Sequence, residues 1–220
     1  MSLVVLALPG AASAQLLGRI SGEYDLRASA SLDDLPATVD SAIGTETTST
    51  FYGSVWAWST QDHPVLGKRY SVGSAALSWK ATEVGPEALV SINLSAFTET
   101  GLPYFDESNR ASSTAKLALD FDFLTDVRGF ADSSGTANSD LYRWDGNEWQ
   151  PIVTGLRSSR YLELSAGRYR WAGATEAYPG LSLHVDDVDF SLRVQAVPEP
   201  TSLAVLGLGG LALLRRRRIR

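Results

Sequence analysis

Few residues in this chain have both the type and the spacing for chemistry. Cysteine is absent, so neither a disulfide nor a thiolate nucleophile is available. The two histidines, His63 and His184, are far apart, and no Gly-x-Ser-x-Gly elbow accompanies them. His63 precedes Pro64 in a loop and reads as a surface residue, whereas His184 reads as packed or solvated in a strand. Asp120 and Asp122 alternate along one apolar pattern, so their carboxylates share a face about 7 Å apart. That spacing suits two-acid glycoside hydrolysis, but any solvated strand face produces such pairs. Asp186, Asp187 and Asp189 gather carboxylates at what reads as a turn, the chemistry of a hard cation such as calcium. Their spacing does not match an EF-hand loop, nor does Asp145-Gly146-Asn147-Glu148, and a solvated turn is the default reading. Aromatics are the other resource: Trp56, Trp58, Trp79, Trp144, Trp149 and Trp171, with 8 tyrosines. Exposed rings can stack on sugars, but Trp fills a two-sheet core equally well. Trp144 and Trp149 flank a polar turn and are the better candidates for glycan stacking. No cofactor motif is present, and none is expected.

A more specific pattern closes the chain. Val197-Pro198-Glu199-Pro200 is an extended, hydrogen-bond-poor connector. Thr201-Ser202 follows, then an uncharged apolar run from Leu203 to Leu214 whose leucines include Leu203, Leu206, Leu208, Leu211 and Leu214. Arg215, Arg216, Arg217 and Arg218 end it as a basic stop, marking the cytoplasmic side of a membrane. As a helix the run would span roughly 18 Å at ~1.5 Å per residue, short of a ~30 Å hydrocarbon core. Snorkelling arginines and local thinning can supply the difference. The order of the three parts, centred on Pro198, Glu199 and Pro200, resembles a PEP-CTERM sorting signal. That resemblance implies a Gram-negative-type bacterium that makes extracellular polysaccharide. It also implies recognition and processing by a membrane enzyme, an exosortase, that releases or re-anchors the body outside. It covers residues 197–220 and speaks to destination rather than to the work of the body.

The other end agrees. Leu3 to Leu8 is apolar, Pro9-Gly10 breaks it, and Ala12-Ser13-Ala14 is a small-x-small site, so residues 1–14 read as a secretory signal peptide handled by the export machinery. No Lys or Arg precedes Arg19, so a longer native start carrying one is expected. Between the ends, residues 15–196 suit one domain with a substantial core. Five of the 19 basic residues lie after Leu214, which leaves the body 14 basic against 24 acidic residues. An acidic body of this kind opposes nucleic-acid binding, which depends on neutralising phosphates.

The elements that must position these residues read as strands. Ile20, Tyr24, Leu26 and Ala28 alternate with polar residues. Ser29–Ser49 reads as a polar connector and Ser59–Lys68 as a loop. Phe51–Trp58 carries aromatics on both faces, which suggests that both are covered. Strands are expected over Arg69–Ala81 and Leu89–Phe97, with a turn at Val84-Gly85-Pro86. Thr98–Ser113 reads as a long loop. Leu117, Leu119, Phe121 and Phe123 face a core, with Lys116, Ala118, Asp120 and Asp122 outward. Phe130 opens a further strand, followed by a loop from Asp132 to Ser139. Leu141–Ile152 is expected as a hairpin turning at Asp145-Gly146-Asn147. Tyr161–Ala172 is expected as a second hairpin, its Leu162–Tyr169 pattern similar to a closing hairpin of bacterial extracellular β-sandwiches. Leu181–Val185 and Val188–Val194 are expected as a last strand pair. The fold class is therefore all-β, an antiparallel jelly-roll-like β-sandwich with a short C-terminal transmembrane helix. The functional expectation is an exported, non-enzymatic structural or interaction protein, sorted to the cell surface or biofilm matrix. A carbohydrate-binding module of the exopolysaccharide matrix is the alternative, and a glycan-acting hydrolase a distant third.

Overall fold

The computed structural model describes residues 15–32, 35–63, 67–101, 110–178 and 183–197. The expected signal peptide at 1–14 and the sorting tail at 198–220, including the short transmembrane helix, lie outside the described residues. Among the described residues no helix is long and apolar enough to cross a membrane.

Among the described residues, twelve strands follow in chain order: β1 (Leu17–Ser31), β2 (Thr38–Glu46), β3 (Thr50–His63), β4 (Gly67–Val84), β5 (Glu87–Gly101), β6 (Arg110–Phe123), β7 (Val127–Gly135), β8 (Ser139–Trp144), β9 (Trp149–Val153), β10 (Arg160–Leu164), β11 (Gly167–Ala177) and β12 (Leu183–Ala196). They form two six-stranded sheets. In sheet A the order is β2-β1-β6-β11-β8-β9, and in sheet B it is β10-β7-β12-β5-β4-β3. Every pairing is antiparallel. The inner faces of the two sheets meet in one core.

Side-chain size grades along that core. On β4 the inward series runs Gly73, Ala75, Leu77, Trp79. On β6 it runs Ala111, Ser113, Ala115, Leu117, Leu119, Phe121, Phe123, and on β11, read backwards, Ala177, Thr175, Gly173, Trp171, Tyr169. The sandwich therefore tapers. At its thick end Trp79 is 1% exposed and stacks on Phe51 at 4.6 Å. Its ring lies over Gly22 of the opposite sheet, where a Cβ would fall 2.7 Å from an indole carbon. At its thin end a Cβ on Gly73 would lie 2.7 Å from the Ser29 carbonyl oxygen and 2.8 Å from that of Ser112. There the sheets are joined by hydroxyls. Ser71 Oγ donates to the Arg110 carbonyl at 3.1 Å and Ser113 Oγ to the Phe97 carbonyl at 2.9 Å.

Four expectations are corrected. Ser29–Ser49 is not merely a connector: β1 runs on to Ser31, and β2 pairs with it from Ala30 opposite Thr38 to Gly22 opposite Glu46. As a solvated edge strand, β2 has no buried face, so no apolar alternation marks it. Within the expected loops at Ser59–Lys68, Thr98–Ser113 and Asp132–Ser139, residues 59–63, 67–68, 98–101, 110–113 and 132–135 are strand, while 64–66 and 102–109 lie outside the described residues. Tyr161–Ala172 is not a hairpin, because β10 pairs with β7 in sheet B and β11 with β6 and β8 in sheet A. The Ser165-Ala166-Gly167 link crosses between sheets. Tyr169 clips it by donating its hydroxyl to the Ser165 carbonyl at 2.6 Å, a device like the tyrosine corner of other sandwiches. Burial raises the Tyr169 phenol above its ordinary pKa. Finally, Leu183–Ala196 is one strand rather than a pair, since Asp186 and Asp187 continue the ladder opposite Ala96 and Ser95.

The β8–β9 hairpin follows the expectation, with Trp144 opposite Trp149 and Gly146 at φ 109°. The backbone N–H groups of Glu148 and Asn147 donate to Asp145 Oδ1 at 2.9 and 2.8 Å, and Gln150 Nε2 donates to Oδ2 at 3.1 Å. These bonds, those from Glu148 and Asn147 first, hold the Asp145 carboxyl below the usual aspartate pKa. A lowered native pKa stabilises the turn above the unfolded value and stops doing so as pH falls through the native one. In an acid titration the amide resonances of Asn147 and Glu148 should therefore move below about pH 3.9, the ordinary aspartate value, and not at or above it. The Asp145→Ala variant should lack that transition. A transition centred above the ordinary value would contradict the assignment.

Candidate binding face

The outer face of sheet B is built from cross-strand rows. The ladders place Tyr52, Ser78, Asn93, Asp189 and Ser134 side by side across β3, β4, β5, β12 and β7. The next row holds Thr50, Lys80, Ser91, Ser191 and Asp132. These rows floor a groove of about 720 Å³, to which Ser159 also contributes. Asn93 Nδ2 donates to Asp189 Oδ1 at 2.6 Å within it. Four strand spacings of ~4.8 Å make the floor roughly 19 Å wide.

Aromatic side chains rise on both sides of this polar floor. In β3, alternation sends Val55 and Ala57 into the core and Tyr52, Trp56 and Trp58 outward. They are 70%, 57% and 56% exposed. Strand rise sets Tyr52 and Trp56 about 13 Å apart and Trp56 and Trp58 about 7 Å apart. The Trp56 row continues through Ser74 and Phe97 to Val185. Beyond the opposite side of the floor, Phe130 and Tyr161 form an edge-to-face pair at 5.3 Å, both about half exposed. The expectation that both faces of Phe51–Trp58 are covered is thus corrected: β3 is an edge strand whose outer aromatics face solvent. Its free edge is partly masked, because the Trp56 amide donates to Asp40 Oδ2 of β2 at 3.0 Å.

The other singled-out residues fall elsewhere. Trp144 and Trp149 lie on the outer face of sheet A, half-buried, with their rings 5.3 Å apart. Arg170 and Arg168 cover the Trp149 ring at 4.5 and 5.3 Å, occupying the surface a sugar would use. The same arginines bind Asp120, which is 6% exposed. Arg170 Nε donates to Oδ1 at 2.6 Å and Arg168 donates to Oδ2. The hydrogen bond to Asp120 raises the Arg170 pKa further. Asp122 faces Arg168 across the ladder. In β12, alternation sends Asp187 and Asp189 to the outer face and Asp186 to the opposite side. Asp186 Oδ2 accepts the Glu176 amide at 2.9 Å and Oδ1 accepts the Thr136 hydroxyl. Among the described residues, no group of three or more His, Asp or Glu side chains is gathered around a metal-sized site. His184 Nδ1 accepts the Tyr178 amide at 3.1 Å. His63 ends β3, and its side chain lies outside the description.

Sheet A also carries a groove, of about 920 Å³. Glu23, Asp25, Asp140, Glu176 and Asp186 ring an alanine and glycine floor there, with Lys116 as the cation. Its exposed aromatic, Tyr178, donates its hydroxyl to Glu176. It offers a carboxylate-lined hollow rather than a row of free rings.

The sequence motif sits where the described chain ends. β12 is flanked by β7 and β5, and just beyond it the Val197 amide donates to the Asp126 carbonyl at 2.9 Å. No curated protein and no solved structure matches the chain. The family model described as the PEP-CTERM protein-sorting motif matches residues 196–218, so the chain carries, straight after its last strand, a PEP-CTERM motif of the kind handled by exosortase-type sorting.

Proposed function

We propose that this is an exported protein whose β body is delivered to the cell surface or extracellular matrix as a non-enzymatic interaction domain. The observation that carries the reading is the sorting motif abutting the last strand of a folded body. In this reading the export machinery acts on residues 1–14. Pro198-Glu199-Pro200 is recognised by the processing enzyme, Leu203–Leu214 holds the chain in the inner membrane, and Arg215–Arg218 stay on the cytoplasmic side. The short apolar run suits a transient helical anchor better than a permanent span.

A jelly-roll-like body is part of the same proposal. The neighbour orders β8-β11-β6-β1 and β7-β12-β5-β4 support it, since they have the strand neighbours of a jelly roll followed in the reverse chain direction with its ends moved cyclically. A non-enzymatic role is supported by the two guanidinium groups that occupy both carboxylate oxygens of the buried Asp120 and cover it from solvent.

Deleting Thr201–Arg220 tests the sorting reading. The deleted form should accumulate, unprocessed, in periplasm or medium, while the full chain passes through the membrane fraction and shortens. Identical fractionation of the two would sink the proposal.

A further inference from the structure

We infer that the outer face of sheet B binds a neutral, extended polysaccharide, with Trp56 and Trp58 as stacking platforms and the serine–asparagine floor as its hydrogen-bonding bed. Four observations meet here. Trp56 and Trp58 are more than half exposed although Val55 and Ala57 between and beside them are buried, so the ladder fixes these rings outward rather than leaving them loose. Large rings held in solvent carry a hydration cost that a ligand with apolar C–H faces relieves. The floor is short-chained: Ser78, Ser91 and Asn93 line the groove, and Ala76 and Ser95 continue it to the Trp56 row, where Ser74 and Phe97 follow, leaving depth for a chain to lie across the strands. Its hydroxyl and amide groups match sugar hydroxyls in both donor and acceptor character.

The same floor argues against a protein occupant. The buried centre of a protein interface is apolar and depleted of charge, whereas here the centre holds Asn93, Asp189 and Lys80 and the aromatics stand at the margins. Charge selects among glycans. Asp62, Glu87, Glu99, Asp132, Glu163, Asp187 and Asp189 outnumber Lys68, Lys80, Arg128 and Arg193 on this face, and an acidic polysaccharide would be repelled. The inference rests on the proposed function only for where the ligand is met, outside the membrane, so the fractionation and binding experiments fail separately.

The test is calorimetry on the full chain in mild detergent. The probes are neutral hexaoses of gluco, manno, galacto and N-acetylglucosamine type, with hexagalacturonate as the acidic comparison. At least one neutral hexaose should bind. Trp56→Ala and Trp58→Ala should each weaken it at least about tenfold with the melting temperature unchanged, because a stacked ring and its buried area are lost together. Trp144→Ala should bind like wild type. Silence across the neutral probes overturns the inference, as does undiminished binding by the Trp56→Ala/Trp58→Ala double variant or a preference for hexagalacturonate. If sedimentation instead shows an assembly of copies that Trp56→Ala dissolves, with no glycan response, the face is a protein interface and the inference falls.

Discussion

Trp79→Ala should lower the stability of the body by about 3–5 kcal/mol, the range for removing a fully buried large aromatic. For a body of this size that is a fall in Tm of roughly 6–20 °C. The indole does three things at once. Its ring stacks on Phe51, it fills the hollow left by Gly22 on the facing sheet, and its Nε1–H donates to the Thr48 carbonyl at 3.0 Å. Alanine would leave a cavity between the sheets and an unpaired carbonyl beside it. Trp79→Phe keeps part of the ring and loses the hydrogen bond, so it should fall between wild type and alanine. Chemical denaturation of the three proteins gives the order. A loss under about 1 kcal/mol for Trp79→Ala would mean that the thick end of the core is not where the stability lies.

Gly73→Val is the complementary case, an addition rather than a deletion, at the thin end. Its Cβ would meet two carbonyl oxygens, on Ser29 and Ser112, that belong to the β1–β6 ladder and cannot rotate away as a side chain can. Overpacking of this kind costs about 1–3 kcal/mol, occasionally more. The upper part of that range is expected, because the sheets must part and stretch the Ser71–Arg110 and Ser113–Phe97 bonds. Ser74→Ala, one residue along and facing outward, is the control and should change stability by no more than about 0.5 kcal/mol. Equal melting curves for Gly73→Val and Ser74→Ala would show that the thin end yields freely.

What the sequence discloses about this fold depends on whether a strand has one wet and one dry face. β5 and β6 do, and their alternation is legible residue by residue. β2 is wet on both faces and leaves no periodic trace. Asp186-Asp187 interrupts an apolar alternation and so resembles a turn, although the neighbouring strands simply carry the ladder through it. The β10–β11 link has the spacing of a hairpin, and only the long-range pairing of β10 with β7 shows that it changes sheets. The sorting motif is local and entirely legible. The proposed binding face is not. Trp149 flanks a polar turn, but arginines from β11 cover it, whereas Trp56 and Trp58 sit in an apolar-looking segment and stand free. Nothing within ten residues of either pair carries that distinction, which belongs to strand order.

The position of β12 has a consequence for the order of assembly. It is the last strand among the described residues, yet it lies inside sheet B, joining β10-β7 on one side to β5-β4-β3 on the other. A chain threaded through a membrane from its N-terminus must deliver residues as far as Ala196 before those two halves can become one sheet. The body is thus complete only once the chain has been delivered up to the edge of the sorting motif. From then on, tension applied through the tail acts along β12 and shears two ladders at once, from Leu183 opposite Glu99 to Gln195 opposite Glu87 on one side and from Val188 opposite Gly135 to Ala196 opposite Val127 on the other. Such a load is shared by many hydrogen bonds together instead of opening them one at a time.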